Sequence, residues 1–270
     1  MIVRLRDLLL GLRDLGLGDA PVVVHASLSA FGKVDGGAGN VAYALGTVFR
    51  TVLAPAFTYK TMITPPLGPA NNGITYASGL DQNRMAEFFK AGMPVDPLIG
   101  AIPEALRRHP RARRSDHPIQ SFTGINADKF LSAQALEDPL APLDELAKAG
   151  GWVVLLGVDH TFNTSIHCAE KNAGRKTFVR WALTPTGVVE CPGFPGCSAG
   201  FAAIAPDVEK YTRRTRIGDA TVQALPLPML FRVVTALIQH DPLALLCRQD
   251  DCERCAAVRE DVALKIGSRL

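Results

Sequence analysis

His167 and Glu170 stand three residues apart just after an apolar run, in the segment GWVVLLGVDHTFNTSIHCAE covering residues 151–170. The apolar run 152–158 predicts a buried strand, and the polar turn 159–165 after it predicts a strand-to-helix junction. A histidine delivered at the carboxyl end of a buried strand sits where α/β proteins place ligands and chemistry. Near a helix N-terminus the positive end of the dipole disfavours imidazolium. The ring is then neutral near pH 7, the state a general base needs. Glu170, at i+3, shares a helix face with His167 and is placed to orient the ring, although a solvated helix glutamate would have the same spacing. Cys168 adjoins His167, but neighbouring helix positions point in different directions, which argues against a Cys–His nucleophile pair.

Sulfur forms a second group. Five of the six cysteines lie in the last third of the chain: Cys191, Cys197, Cys247, Cys252 and Cys255. Cys252 and Cys255 make a C-x2-C pair, and Cys191 and Cys197 bracket a Gly/Pro-rich turn. Two such turns can hold a structural zinc tetrahedrally. The expected ligands are Cys197, Cys252, Cys255 and Cys191, with Cys247 as the alternative fourth; reduced free thiols or an occasional disulfide are the other reading. The site would tie the turn after a hairpin to the C-terminal helix, far from any catalytic group, and serve stability.

The elements around these residues alternate. The pattern predicts helices over 3–16, 41–49, 85–91, 103–108 and 143–149, and strands over 21–26, 51–56 and 152–158. An extended piece begins at 121–124. A hairpin is expected over 178–190, turning at Pro185-Thr186-Gly187. Helices at 199–205, 218–224, 228–240 and 252–266 complete the chain. This is one α/β unit with a mixed central sheet flanked by helices, not two separable domains. The loop 57–79 is long and lacks periodicity; its aromatics Phe57, Tyr59 and Tyr76 point to a packed substrate-side loop.

With 29 basic and 26 acidic residues, a net charge of +3 gives no reason to invoke nucleic acid or a membrane surface. No apolar run approaches the length of a membrane span. The N-terminal leucines are threaded with charges, as in an amphipathic helix and not a signal peptide. A cytoplasmic protein is expected. The oligomeric state stays open, a homodimer being one option.

Five segments occur in a meaningful order: VVVHASLSAFGKVDGG, LAPAFTY, RRSDHPIQSFTG, GWVVLLGV and NTSIHCAE. With them the chain resembles, over nearly its whole length, the antibiotic N-acetyltransferase family that contains the aminoglycoside 3-N-acetyltransferases. The resemblance implies a single acetyltransferase domain over 1–270, with an α/β fold unlike that of the Gcn5-related acetyltransferases. It also implies transfer of acetyl from acetyl-coenzyme A to an amine. By this resemblance His167 is the general base, Glu170 its motif partner, and His25 a further active-site residue. Ser27, Ser29, Val34, Gly36 and Gly37 match the turn used for coenzyme A, where backbone N–H groups suit phosphate or pantetheine. Ser115 and His117 match an element lining the same cleft, and Arg113 or Arg114 would meet a phosphate. Ser27, Thr164 and Ser165 are candidate donors to the oxyanion.

Aminoglycosides are polycations and call for an acidic cleft. The middle loop here carries Lys60 and no acid until Asp81. Asp81, Glu87, Asp96, Asp159 and Glu190 are the carboxylates left to line a site, and Tyr59 and Tyr76 the aromatics. The expected acceptor is an aminoglycoside amine, with a different small metabolite amine as the alternative.

Overall fold

Three short apolar runs, Val22–Ala26, Val52–Pro55 and Trp152–Leu156, form the centre of the molecule. Strands buried on both faces read as continuous apolar runs, as these do. In the computed structural model, which describes residues 2–78 and 83–267, they lie side by side and parallel. Antiparallel strands extend the sheet on both sides. Its order is Arg213–Ile217, Ala220–Pro226, Trp152–Leu156, Val22–Ala26, Val52–Pro55, Phe122–Ile125 and Ala112–Arg114.

Alternation along each strand divides the core in two. Val23, Leu53, Phe122, Val153 and Leu155 pack against the helices Ala141–Lys148, Thr164–Asn172 and Leu227–His240. Val22, Val24, Val52, Ala54 and Val154 pack against Leu5–Asp14, Gly37–Val48 and Ala101–Arg107. The outcome is an α/β domain with a central mixed sheet and helices on both faces.

A second sheet of three strands, ordered Gly187–Phe194, Phe178–Thr184 and Met62–Ile63, packs its own small core of Ile119, Phe178, Phe194 and Val258 against the last helix, Glu253–Gly267. A two-residue parallel pair joins Ile2–Val3 to Lys33–Val34.

Two expected helices are absent. Residues 218–224 form the strand Ala220–Pro226, paired with Arg213–Ile217 through the two-residue turn Gly218-Asp219. Gly218 has φ +59°, and its backbone carries the hairpin. Residues 86–90 form no helix or strand, with the Glu87 and Phe89 amides donating to the carbonyls of Lys60 and Leu183. Leu183 ends a hairpin strand, so hydrogen bonding to the second sheet outweighs the helical spacing of this segment. The edge strand Ala112–Arg114 had no clear signal, being short and arginine-rich.

Candidate active site

The turns that follow the three parallel strands leave the sheet at one edge. One of them, 157–163, leads into the helix Thr164–Asn172, which Asn163 caps by accepting the Ser165 amide at 3.1 Å. His167 lies in the first turn of that helix, as its sequence position predicts. Its Nδ1 is 2.9 Å from Glu170 Oε2. The other Glu170 oxygen, Oε1, accepts Arg175 Nη1 at 2.6 Å. Arg175 is anchored in turn by the carbonyls of Ala244 and Pro242, at 2.8 and 2.7 Å.

The helix ends in a turn that explains this chain of contacts. Gly174, at φ +82°, donates to Lys171 O, and the Arg175 amide donates to Glu170 O at 3.0 Å. These are the two bonds of a Schellman cap, and they fold Arg175 back beside Glu170. Glu170 and Arg175 side chains are only 6% and 4% exposed. With the carboxylate bonded to Nδ1, the proton of a neutral ring belongs there, and Nε2 keeps its lone pair. The edge of Phe201 packs on the ring at 4.6 Å.

His167 opens on a cleft of about 590 Å³ lined also by Tyr59, Gln120, Thr164, Phe194, Cys197 and Arg254. The cleft is walled on one side by the large sheet's loops and on the other by the second sheet and last helix. Among the described residues lining it there is no carboxylate. Burial pushes the Tyr59 phenol up to about 12.

His25 stands on the same face of its strand as Val23, in register with Leu155. Its Nε2 is buried without a hydrogen-bond partner among the described residues. Burial, helped by repulsion from the nearby His167, pulls its pKa down to about 3. Leaving a buried polar atom unpaired costs about 1–3 kcal/mol, so its place beside His167 needs a reason other than stability.

The other expected site residues divide. The 27–37 turn, the 115–121 loop and the 157–163 turn all lie at the same sheet edge, but Ser27, Ser29, Val34, Gly36 and Gly37 do not line the His167 cleft. Ser27 and Ser29 hydroxyls bond each other at 3.0 Å. Val34 belongs to the small parallel pair, and Gly36 and Gly37 take φ +66° and +55°, so backbone geometry alone demands them. Arg113, Arg114, Ser115 and His117 border a separate opening of about 580 Å³.

Arg114 needs correcting as a phosphate ligand. Its guanidinium is spent inside the protein on Ser121 Oγ and the carbonyls of Ala56, Ala91 and Met93; Arg113 is the exposed one of the pair. Ser115 Oγ accepts the Phe122 amide at 2.8 Å, and His117 Nδ1 accepts the amides of Ile119 and Gln120. Both hold the loop in shape. Tyr76 lies outside the cleft, edge-on to Trp181 and bonded to Pro69 O. Asp159 caps the turn before the helix Thr164–Asn172, and Glu190 is exposed on the hairpin. Asp81 lies outside the described residues. Cys168 is buried in the large core with its thiol pKa well raised by burial, facing away from the cleft. That disposes of a covalent cysteine.

The sulfur cluster also needs one correction. Cys197, Cys247, Cys252 and Cys255 gather with their sulfurs all within 4.8 Å of one another. Cys191 is not among them. The strand Gly187–Phe194 runs on through it and turns its side chain into the small core, so 191–197 is strand and loop and not one tight turn. Nor is the cluster remote, because Cys197 lines the His167 cleft.

The buried histidines should make the fold acid-sensitive. His117 is held down at about 4 by burial, as His25 is at about 3. Between these values and about 6.5 the unfolded chain binds protons that the folded chain refuses, so stability falls as pH drops through that window. Each ring should remove on the order of 3 kcal/mol by about pH 4. Denaturation midpoints measured across the window should decline, and less steeply in a His117→Gln variant; equal slopes would contradict the assignment.

The profile of a family described as aminoglycoside 3-N-acetyltransferase matches residues 23–239. Aminoglycoside N(3)-acetyltransferase III of Serratia marcescens is 32% identical over 221 residues, covering 70% of this chain and 80% of that protein. The chain covers 61% of the length of two further relatives, from Bacillus subtilis and Streptomyces paromomycinus. Among solved structures, the apoenzyme of aminoglycoside acetyltransferase AAC(3)-IVa superposes with a TM-score of 0.77 at 24% identity, covering 96% of this chain and 98% of that one. A second, AAC-IIIb in binary complex with CoASH, has a TM-score of 0.71 at 22% identity over 89% and 97%. The class defined is the acetyl-CoA-dependent N-acetyltransferase. Within it, this chain belongs to the aminoglycoside 3-N-acetyltransferase family.

Proposed function

We propose that the chain transfers the acetyl group of acetyl-coenzyme A to an amine of an aminoglycoside, with His167 Nε2 as the general base. The observation that carries this reading is the buried Arg175–Glu170–His167 chain ending at the cleft. An ammonium ion cannot attack a thioester, so the acceptor must lose a proton first. Nε2 takes it, directly or through a water, and Glu170 stabilises the imidazolium that results. The free amine adds to the thioester carbonyl carbon, and the tetrahedral intermediate collapses with loss of the coenzyme A thiolate. The Thr164 hydroxyl, at the helix start and in the cleft, is placed to meet the oxyanion. The ring of His25, buried and kept neutral near His167 without lining the cleft, would act on the reacting groups through His167 and not by direct contact.

The donor enters at the sheet edge where the 27–37 turn and the 113–121 segment emerge, with Arg113 available to a phosphate. AAC-IIIb, similar in fold, was solved with CoASH, and AAC(3)-IVa with gentamicin in a histidine-to-alanine mutant. Six free thiols suit the reducing cytoplasm. No helix among the described residues is long and apolar enough to cross a membrane.

One observation favours a second reading. The cleft presents Arg254 and aromatic side chains and no carboxylate. A polycation gains nothing there, whereas a small amine of low charge would be accepted. Thiol release from acetyl-coenzyme A, followed with a panel of aminoglycosides and monoamines, decides between them. Turnover with gentamicin-type amines supports the first reading, turnover with monoamines alone supports the second, and no acetyl transfer to any amine would overturn both.

A further inference from the structure

We propose that Cys197, Cys247, Cys252 and Cys255 bind a structural zinc ion, and that this ion fixes the 194–199 wall of the His167 cleft. The four sulfurs come from three chain segments and lie within 4.8 Å of one another, with no disulfide among them. Tetrahedral zinc with bonds of about 2.3 Å places its sulfurs about 3.8 Å apart. The cluster therefore needs a small contraction and no change of backbone path. Four thiolates suit a soft, closed zinc site and not a hard cation.

The surroundings are built for sulfur that carries charge. The Ala199 amide points at Cys197 Sγ from 3.4 Å. Arg254 reaches the Gly196 carbonyl at 2.9 Å, and Arg259 reaches the Cys247 carbonyl at 2.5 Å. Two guanidinium groups thus stand beside a centre that would carry a net charge of about −2, four thiolates against one divalent ion. Such outer partners orient ligands and tune a metal site.

Two of the ligand-bearing segments also pack against each other backbone to backbone. At Gly200 an added Cβ would meet the Leu245 carbonyl at 2.4 Å and the Leu246 backbone at 2.6 Å. The 196–200 loop and the 245–247 segment are therefore in backbone contact. Residues 241–252 contain no helix or strand, and Leu245 takes φ +65°. Turn hydrogen bonds and arginine contacts to its carbonyls hold this segment, and a metal cross-link would add to them. Binding releases the thiol protons and leaves the metal's binding energy in the fold.

The functional part rests on the reading that the His167 cleft receives the acceptor. Phe194, Cys197 and Arg254 lie on its wall, so the ion positions that wall, while the segment that carries Cys247 also anchors Arg175 through the carbonyls of Pro242 and Ala244. Metal loss should then raise the acceptor KM more than it alters the handling of acetyl-coenzyme A.

The test begins with native protein purified without chelator or added metal. Elemental analysis should find about one zinc per chain. A mercurial should release that zinc as it titrates four thiols, and cobalt replacement should give the thiolate-to-metal charge-transfer band of a tetrahedral site. Cys252→Ser should lose the zinc, whereas Cys191→Ser should keep it. If Cys252→Ser does not fold, the native stoichiometry and the cobalt spectrum still decide. Metal-free protein with four reactive thiols, a disulfide detected by mass, or iron in place of zinc would each overturn the proposal. Zinc content is independent of which amine is acetylated, so failure of the functional reading and failure of the metal site are told apart.

Discussion

Replacing His167 with alanine should lower kcat by about 10²–10⁴-fold, the usual cost of losing a general base. That is roughly 3–5 kcal/mol of transition-state stabilisation. In the proposed arrangement the donor nucleotide lies away from His167, at the 27–37 turn and the 113–121 segment, so binding of coenzyme A should survive. Titration of the variant with coenzyme A by calorimetry, beside steady-state kinetics, separates the two effects. A variant that keeps near-normal kcat would remove His167 from the chemistry. Glu170→Gln preserves a hydrogen-bond acceptor for Nδ1 but takes away the charge that stabilises imidazolium, so its kcat should fall between the two.

The largest stability effect is expected at Arg175. In Arg175→Met, Glu170 remains buried with no cation beside it, and the carbonyls of Ala244 and Pro242 lose their donors. Removing one partner of a buried ion pair costs about 3–5 kcal/mol. For a chain of this size that is a Tm loss on the order of 10 °C. The surface pair Lys148–Glu145, with the lysine 71% exposed, offers an internal comparison, since exposed pairs contribute roughly 0–1 kcal/mol. Calorimetric melting of the single variants and of Arg175→Met combined with Glu170→Gln closes a double-mutant cycle. Recovery in the double variant would identify the stranded carboxylate as the source of the loss. Additive losses would mean that the two residues act separately.

The His167–Glu170 pair was legible because its geometry is local. Three residues along a helix fix His167 and Glu170 on one face whatever the rest of the fold does. Arg175 was overlooked although its signal was present: a glycine one position before a basic residue, just past the helix end, announces the cap that returns the arginine to Glu170. The parallel strands were readable as apolar runs. The 213–226 hairpin was not, because TVQAL alternates over too few residues to outweigh a helical guess. Gly218-Asp219 was the turn signal that should have decided it. Arg114 misled for a different reason. An arginine beside a phosphate and an arginine tying down backbone carbonyls look the same in sequence, and only the folded neighbours of Arg114 distinguish them. The cysteines were half legible: three of the four clustered thiols follow from spacing, but the fourth depended on whether 187–194 continued as a strand through Cys191.

The two walls of the cleft belong to different packing units, with Tyr59 touching the cores of both. Changes in side chains more than about 7–10 Å apart, with no shared partners, combine almost additively. If the cleft receives the acceptor as proposed, mutational drift in the 178–199 hairpin and the last helix can therefore reshape the amines that fit while selection keeps His167, Glu170 and Arg175 unchanged. Tyr59 is the exception. It is answerable to both units at once, and should be the cleft position least free to vary as descendants of this fold acquire new substrates.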